Sequence, residues 1–211
     1  MKPYAPLFII LFFLACTACI PDGKMPNRNS GIDAVYGGTD REIWQKFQLV
    51  IDIFGDLSDK TVVDLGTGKG YCALALEEHS KEILALDINQ VFVAYVDSIA
   101  QADSLNIEAR LVKEDDPLLA PQEADAVIMC NTYCYLDDRV EYLNTLSKGL
   151  TKGSKVVIVD FKKKKTRIGP ELEARLPLHQ VVEELNQAGY IVGEINDTSL
   201  DYQYIIAAIS Q

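Results

Sequence analysis

Apolar and polar positions along this chain follow two alternating periods: short strand-like segments, then longer stretches with helical spacing. Strand patterns stand at 61–65, 82–87, 107–112, 126–130 and 155–160. The fourth, Ala126-Val127-Ile128-Met129-Cys130, is an unbroken apolar run, as a strand covered on both faces should be. A helix is predicted ahead of the first strand. Thr39 to Glu42 has capping-box spacing, Ile43, Trp44, Phe47, Val50, Ile51 and Phe54 share one face, and Gly55 is a stop. Further helices are predicted over 69–78 and 89–101, along Val140, Leu143, Leu146 and Leu150, and over 180–188 with Gly189 as the stop.

Strand-helix alternation implies right-handed crossovers and a mostly parallel sheet. The ending departs from it. Strand-like stretches at 190–195 and 202–209 are joined only by 196–201, too short for a crossover, so the last strand must run antiparallel to its predecessor. The expectation is one α/β domain over 39–211, without internal repeats.

The residues before it read differently. After Met1-Lys2, an apolar core from Leu7 to Ala15 has the length of a secretory h-region and falls short of the ~20 residues of a spanning helix. Cys16-Thr17-Ala18-Cys19 follows, and Thr-Ala-Cys resembles the lipobox of bacterial lipoproteins. Cys19 has the better preceding residues in Ala18 and Thr17; Cys16, preceded by bulky Leu14 at the second position, is the alternative. Residues 1–19 are thus predicted to be a lipoprotein-type signal peptide, with an uncleaved membrane anchor as the other reading. Residues 20–38, rich in Pro, Gly and Asn, read as a flexible tether.

Charge narrows the function. Among 211 residues, 20 Lys and Arg face 31 Asp and Glu, a net charge of −11. That excludes nucleic-acid binding through phosphates and electrostatic docking on anionic lipid. Cys72, Cys130 and Cys134 are an odd set, so no complete disulfide framework is expected and free thiols are. His79 and His179 stand apart, no zinc-type cluster is present, and no metal is predicted.

The candidate chemistry lies at the carboxyl ends of the strands, where open α/β sheets bind ligands. Strand one ends in Asp64-Leu65-Gly66-Thr67-Gly68-Lys69-Gly70-Tyr71. The spacing fails the dinucleotide fingerprint, whose sixth position here is Tyr71, and fails the phosphate loop, because Gly70 follows Lys69. Asp-x-Gly-x-Gly-x-Gly instead resembles motif I of class I S-adenosylmethionine-dependent methyltransferases. Asp87 ends strand two, 21 residues after Gly66, where a carboxylate accepts hydrogen bonds from a ribose diol; an acidic cap on the next helix is the structural alternative. Lys113-Glu114-Asp115-Asp116-Pro117 follows strand three, and Asp-Asp-Pro is also ordinary turn chemistry.

The order of Arg41-Glu42-Ile43-Trp44-Gln45, motif I, Asp115 to Pro117, Asn131-Thr132-Tyr133, Asp138-Arg139, Val159-Asp160-Phe161, Ala188-Gly189-Tyr190 and Leu200 to Tyr204 is similar to a bacterial subgroup of these enzymes, several of them with export signals. The resemblance implies a Rossmann-like seven-stranded, mostly parallel sheet with an antiparallel last strand. It implies S-adenosylmethionine as cofactor, with Gly66, Gly68 and Gly70 facing its methionine part and Asp64 near its amino group. Asp87 would hold the ribose, Asp115 or Asp116 the adenine, with Asn131 also on the cofactor side. The Trp44 helix would lid the pocket edge.

Two positions depart from the subgroup. Cys134-Tyr135 replaces a His pair, removing the obvious general base, and Lys69 stands where a small residue is commoner. Tyr133, Cys134 and Tyr135 are the candidates for orienting or deprotonating an acceptor, with pocket lining the structural alternative. Cys72 and Cys134 follow strands that are neighbours in this fold, which leaves a disulfide or soft-metal pair open. Lys162 to Lys165 with Arg167 reads as a solvated loop or as a lid attracting an anionic substrate.

Two functions follow from these features. One is a methyltransferase acting on a small or medium-sized acceptor; the other is a membrane-displayed cofactor-binding pseudo-enzyme or ligand-binding module. The N-terminus predicts an exported, lipid-anchored protein on the periplasmic or extracellular face, with a cytosol-facing anchor as the alternative.

Overall fold

The computed structural model describes residues 41–211; the predicted leader with Cys16 and Cys19, the tether and the Thr39 cap lie outside the described residues. Seven strands form one sheet in the order β3-β2-β1-β4-β5-β7-β6. They are β1 (Leu57–Leu65), β2 (Ser80–Asp87), β3 (Ile107–Leu111), β4 (Ala124–Cys130), β5 (Leu150–Phe161), β6 (Ile191–Asn196) and β7 (Gln203–Ile209). The β1–β2, β1–β4, β2–β3 and β4–β5 ladders are parallel, while β7 runs antiparallel to both β5 and β6. The short link after β6 leaves the chain no other way to re-enter the sheet.

Both faces are covered, which is why the central strands carry apolar residues at consecutive positions. One face packs Val62, Ile83, Ile128 and Val157 beneath α2 (Gln48–Phe54), α3 (Tyr71–Glu77) and α4 (Gln90–Asp103). The other packs Val63, Leu84, Met129 and Ile158 against α5 (Arg139–Lys148) and α6 (Leu178–Gln187). At ~25 cal/mol per Å² of apolar surface, these two buried layers dominate the folding free energy.

The helix predicted ahead of β1 is broken. α1 (Arg41–Gln45) is separated from α2 by Lys46, whose φ of 46° is left-handed. The break turns Gln45 into the core and leaves Ile43 73% exposed, so Ile43 does not share the buried face expected of it. Tertiary bonds of Arg41 and Gln45 override the apolar period. Leu150 begins β5, opposite Ala124, instead of closing the helix before it. Among the described residues, no helix is long and apolar enough to cross a membrane.

Candidate active site

A cleft of about 240 Å³ opens at the carboxyl ends of β1, β2, β3 and β4. Its walls include Gly66, Asp87, Ile88, Val112, Thr132 and Tyr142, with Lys113, Glu114 and Tyr135 among the remaining lining residues. The size suits a nucleoside.

Leu65 and Gly66 of motif I form the wall on the β1 side, and Gly68 and Gly70 are not among the lining residues. Gly66, Gly68 and Gly70 have φ of 73°, 55° and 80°, in the region that disfavours a Cβ. Gly66 is doubly required, since a Cβ there would stand 2.5 Å from the Thr132 side chain. Gly70 ends the loop as the left-handed N-cap of α3. A Cβ on Gly68 would meet no atom within 4 Å, so that part of the loop has free space beside it.

Asp87 faces the same space. Its Oδ2 accepts the Gly68 N–H at 2.9 Å and its Oδ1 accepts the Asn89 N–H at 2.8 Å. Burial pushes the carboxyl up from its usual range, and the Gly68, Asn89 and Ile88 backbone donors oppose that. The carboxylate is thus fixed by backbone donors, and each oxygen keeps acceptor capacity for a vicinal diol.

Asp64 is placed otherwise than the resemblance implied. Its carboxyl is buried, and Oδ2 accepts from the Thr67 hydroxyl at 2.7 Å and the Ala73 N–H at 3.0 Å. It ties the loop to the first turn of α3. Burial pushes its pKa up to about 6 against those two bonds.

After β3, the residues lining the cleft are Val112, Lys113 and Glu114. Asp115 is exposed, and Asp116 Oδ1 accepts the Leu118 N–H at 2.8 Å while its carbonyl closes a turn with the Lys113 N–H at 3.1 Å. Glu114 was legible as part of the acidic run, but its position in the wall was not.

Beyond β4, a single 3₁₀ turn (Tyr133–Tyr135) splits the three catalytic candidates. Tyr135 is 55% exposed and lines the cleft. Tyr133 is fully buried and donates to Glu184 Oε2 at 2.8 Å; Arg139 grips the same carboxylate at 2.8 and 3.0 Å. Burial and the Glu184 bond push the Tyr133 phenol far above its usual range. It is placed as a structural tie, not as an acceptor-facing group.

Cys134 is half-buried, and its N–H reaches Asp160 Oδ2 at 3.1 Å. Burial and the Asp160 charge push its thiol well up, so it stays protonated. Asn131 (φ 60°) lies on the β7 side: its Oδ1 accepts from Gln203 Nε2 at 2.6 Å, and it is not in the cleft wall.

Trp44 sits at the ends of β5 and β7, its ring 5.8 Å from Phe161 and 6.3 Å from Tyr202. The basic loop over 162–170 is ordered by buried Arg175, which donates to the carbonyls of Pro170 (2.8 Å), Lys164 (2.8 Å) and Ile168 (3.1 Å) and to Thr166 Oγ1 (2.7 Å). Lys163, Lys164, Lys165 and Arg167 are exposed on it. Cys72 and Cys130 are buried in one apolar cluster that does not include Cys134, and all three cysteines are free. Among the described residues, no three His, Cys, Asp or Glu are grouped to hold a metal.

Residues 63–156 match the family model of a methyltransferase domain. Its seven-stranded sheet has the fold of the class I S-adenosylmethionine-dependent methyltransferases. Solved structures share its fold. An S-adenosylmethionine-dependent methyltransferase from Aquifex aeolicus superposes with a TM-score of 0.78 at 24% identity, covering 82% of this chain and 94% of that one. One from Mesorhizobium loti gives 0.65 at 13%, covering 82% and 98%. The [4+2]-cyclase SpnF gives 0.67 at 15%, covering 79% and 80%. No match is found among curated proteins.

The residues fit the cofactor of this class, S-adenosylmethionine. Asp87 presents two oriented oxygens to a nucleoside-sized cleft, Ile88, Val112 and Tyr142 give it apolar walls, and motif I leaves open space beside Gly68. This cleft would hold the ribose at Asp87, the adenine among Val112, Lys113, Glu114 and Tyr142, and the methionine part beside the loop after β1.

Proposed function

We propose that this chain is an active methyltransferase that transfers the methyl group of S-adenosylmethionine to a small or medium-sized acceptor. The observation that supports the reading best is the Asp87 carboxylate, aimed into the cleft and held there by the Gly68 and Asn89 N–H groups of the two adjoining loops.

The bound cofactor supplies a methyl group already activated by its sulfonium. The chain's own part is positioning, which can account for much of the rate of an in-line displacement. Asp87 and motif I fix the nucleoside end, and Ile88, Val112 and Tyr142 line the cleft with apolar surface. Tyr135, exposed at the cleft, orients the acceptor. The protonated Cys134 thiol and the tied Tyr133 phenol are not bases, which leaves any proton removal from the acceptor to the carboxylates of the cleft.

For the N-terminus, we propose a lipoprotein anchored through Cys19, or through Cys16, on the outer face of the membrane. Fatty-acyl labelling with fractionation tests it, and a chain unlabelled at both cysteines would contradict it.

Catalysis is tested by incubating the full-length chain and methyl-labelled S-adenosylmethionine with amine, thiol and hydroxyl acceptor pools and measuring S-adenosylhomocysteine release. Turnover lost on Asp87→Ala is the expected result. Cofactor binding with no turnover in any pool would turn the reading toward a ligand-binding module.

A further inference from the structure

The loop that leaves β5 is held together against its own charge. In a chain of net charge −11, residues 162–167 carry Lys162, Lys163, Lys164, Lys165 and Arg167. Lys162 is neutralised: its Nζ donates to the carbonyls of Asp197 (2.6 Å) and Leu200 (2.8 Å) and pairs with the Asp197 carboxylate at 3.3 Å. The other four are exposed, and among the described residues none of them makes an ion pair.

Like charges in a row repel one another, and a solvated run of lysines needs no frame. This run has one, and the frame is a further cation. Arg175 is 4% exposed and donates to the carbonyls of Pro170, Lys164 and Ile168 and to Thr166 Oγ1; among the described residues it pairs with no carboxylate. Arg167 is fixed as well, its Nε donating to the Tyr202 hydroxyl at 2.8 Å. The buried guanidinium adds to the positive potential of the loop while ordering it, as an anion site requires.

The loop also stands in the right place. β5 lies between β4 and β7, so its carboxyl end adjoins that of β4. The turn that brings Tyr135 to the cleft is tied to β5 by the Cys134 N–H on Asp160 Oδ2 at 3.1 Å, two residues before Lys162. The cations therefore flank the cleft on the side of Tyr135, whereas Asp87 ends β2, on the far side of β1 and β4.

We propose that the methyl acceptor is a small anion whose carboxylate or phosphate is bound by Lys163, Lys164, Lys165 and Arg167, with its nucleophile toward Tyr135. This rests on the methyltransferase reading above and gives that acceptor its chemical class. The acidic remainder of the surface repels anions, so the loop decides where one settles.

The test uses the full-length chain, methyl-labelled S-adenosylmethionine and matched acceptors: amines, thiols and hydroxyl compounds, each with and without a carboxylate or phosphate. Turnover should favour the charged members. The triple variant Lys163→Gln, Lys164→Gln, Lys165→Gln should raise their KM at least about tenfold, with kcat and cofactor affinity near those of the parent. Added salt should raise KM in the parent and change it little in the variant.

A second readout needs no turnover. Trp44 is the single tryptophan of the chain, with its ring 6.3 Å from that of Tyr202. Malonate and inorganic phosphate should each change its fluorescence saturably in the parent and not in the triple variant, with chloride at equal ionic strength giving no such change. That response without turnover in any pair would support the anion site and count against methyl transfer. Turnover of uncharged members at equal KM, without the response, would overturn the inference and leave methyl transfer standing. Phosphatidylglycerol vesicles that bind the parent while malonate and phosphate give no response would also overturn it, as would a triple variant unchanged in both readouts.

Discussion

Gly68 donates its backbone N–H to Asp87 Oδ2 at 2.9 Å, tying the glycine loop after β1 to the acid that ends β2. One bond thus sets the relative position of the two elements that would grip the methionine and ribose ends of the cofactor. It also explains why an acid stands at 87: the side chain caps its own strand end through Asn89 and braces the neighbouring loop.

Two glycines of that loop differ in what an added methyl meets. Gly66→Ala drives a Cβ to 2.5 Å from Thr132 at φ 73°, whereas Gly68→Ala meets only the strain of φ 55°. Gly68→Ala should cost about 1–2 kcal/mol and Gly66→Ala clearly more, by thermal or denaturant unfolding. Thr132→Ala should recover part of the Gly66→Ala loss, and equal costs at both glycines would contradict the contact.

Tyr133 and Tyr135 should separate by readout. Tyr133→Phe removes the hydroxyl bonded to Glu184, so stability should fall by about 1 kcal/mol with cofactor affinity unchanged. Tyr135→Ala, at an exposed cleft position, should leave the melting temperature near that of the parent and raise KM for the acceptor. Reversed effects would move the acceptor-facing role back to Tyr133.

Stability should depend on pH through Asp64 and Asp160. Burial pushes both carboxyls up to about 6, while unfolded aspartates titrate near ~4. Between those values the folded chain holds protons that the unfolded chain has released. The pair's contribution is therefore full below about pH 4 and is lost as pH rises through about 6, by up to roughly 3 kcal/mol for each group. Denaturant unfolding across this range checks it, and Asp160→Asn should flatten the profile.

Arg175 should prove the organiser of the basic loop. Arg175→Met breaks its bonds to Pro170, Lys164, Ile168 and Thr166, so hydrogen exchange over 162–170 should rise and stability fall by roughly 3 kcal/mol. Arg175→Lys should not rescue it, because an ammonium lacks the planar fork that meets these acceptors. Unchanged exchange would mean that the loop holds itself.

The parts of this architecture that rest on local periodicity were legible in the sequence. The apolar run of β4, the glycine spacing after β1 and the short link before β7 each constrain the backbone within a few residues. The break at Lys46 was not legible, because the apolar period runs through it and the contacts that win, from Gln45 and Arg41 to Cys130, span 85 and 89 residues. Tyr133 was misjudged for the same reason, since its partner Glu184 is 51 residues away. The acidic run after β3 announced a carboxylate but not which one, as the turn at Asp116 decides which side chain reaches the cleft. Thr132 was legible as part of Asn131-Thr132-Tyr133, but its closeness to Gly66, 66 residues away, was not.

Binding of S-adenosylmethionine in the cleft through Asp87 is read directly by titration calorimetry of the full-length chain. Saturable micromolar binding, at least tenfold weaker in an Asp87→Ala chain of unchanged fold, is the predicted result. A folded parent chain without binding, or an Asp87→Ala chain that binds equally well, would contradict it.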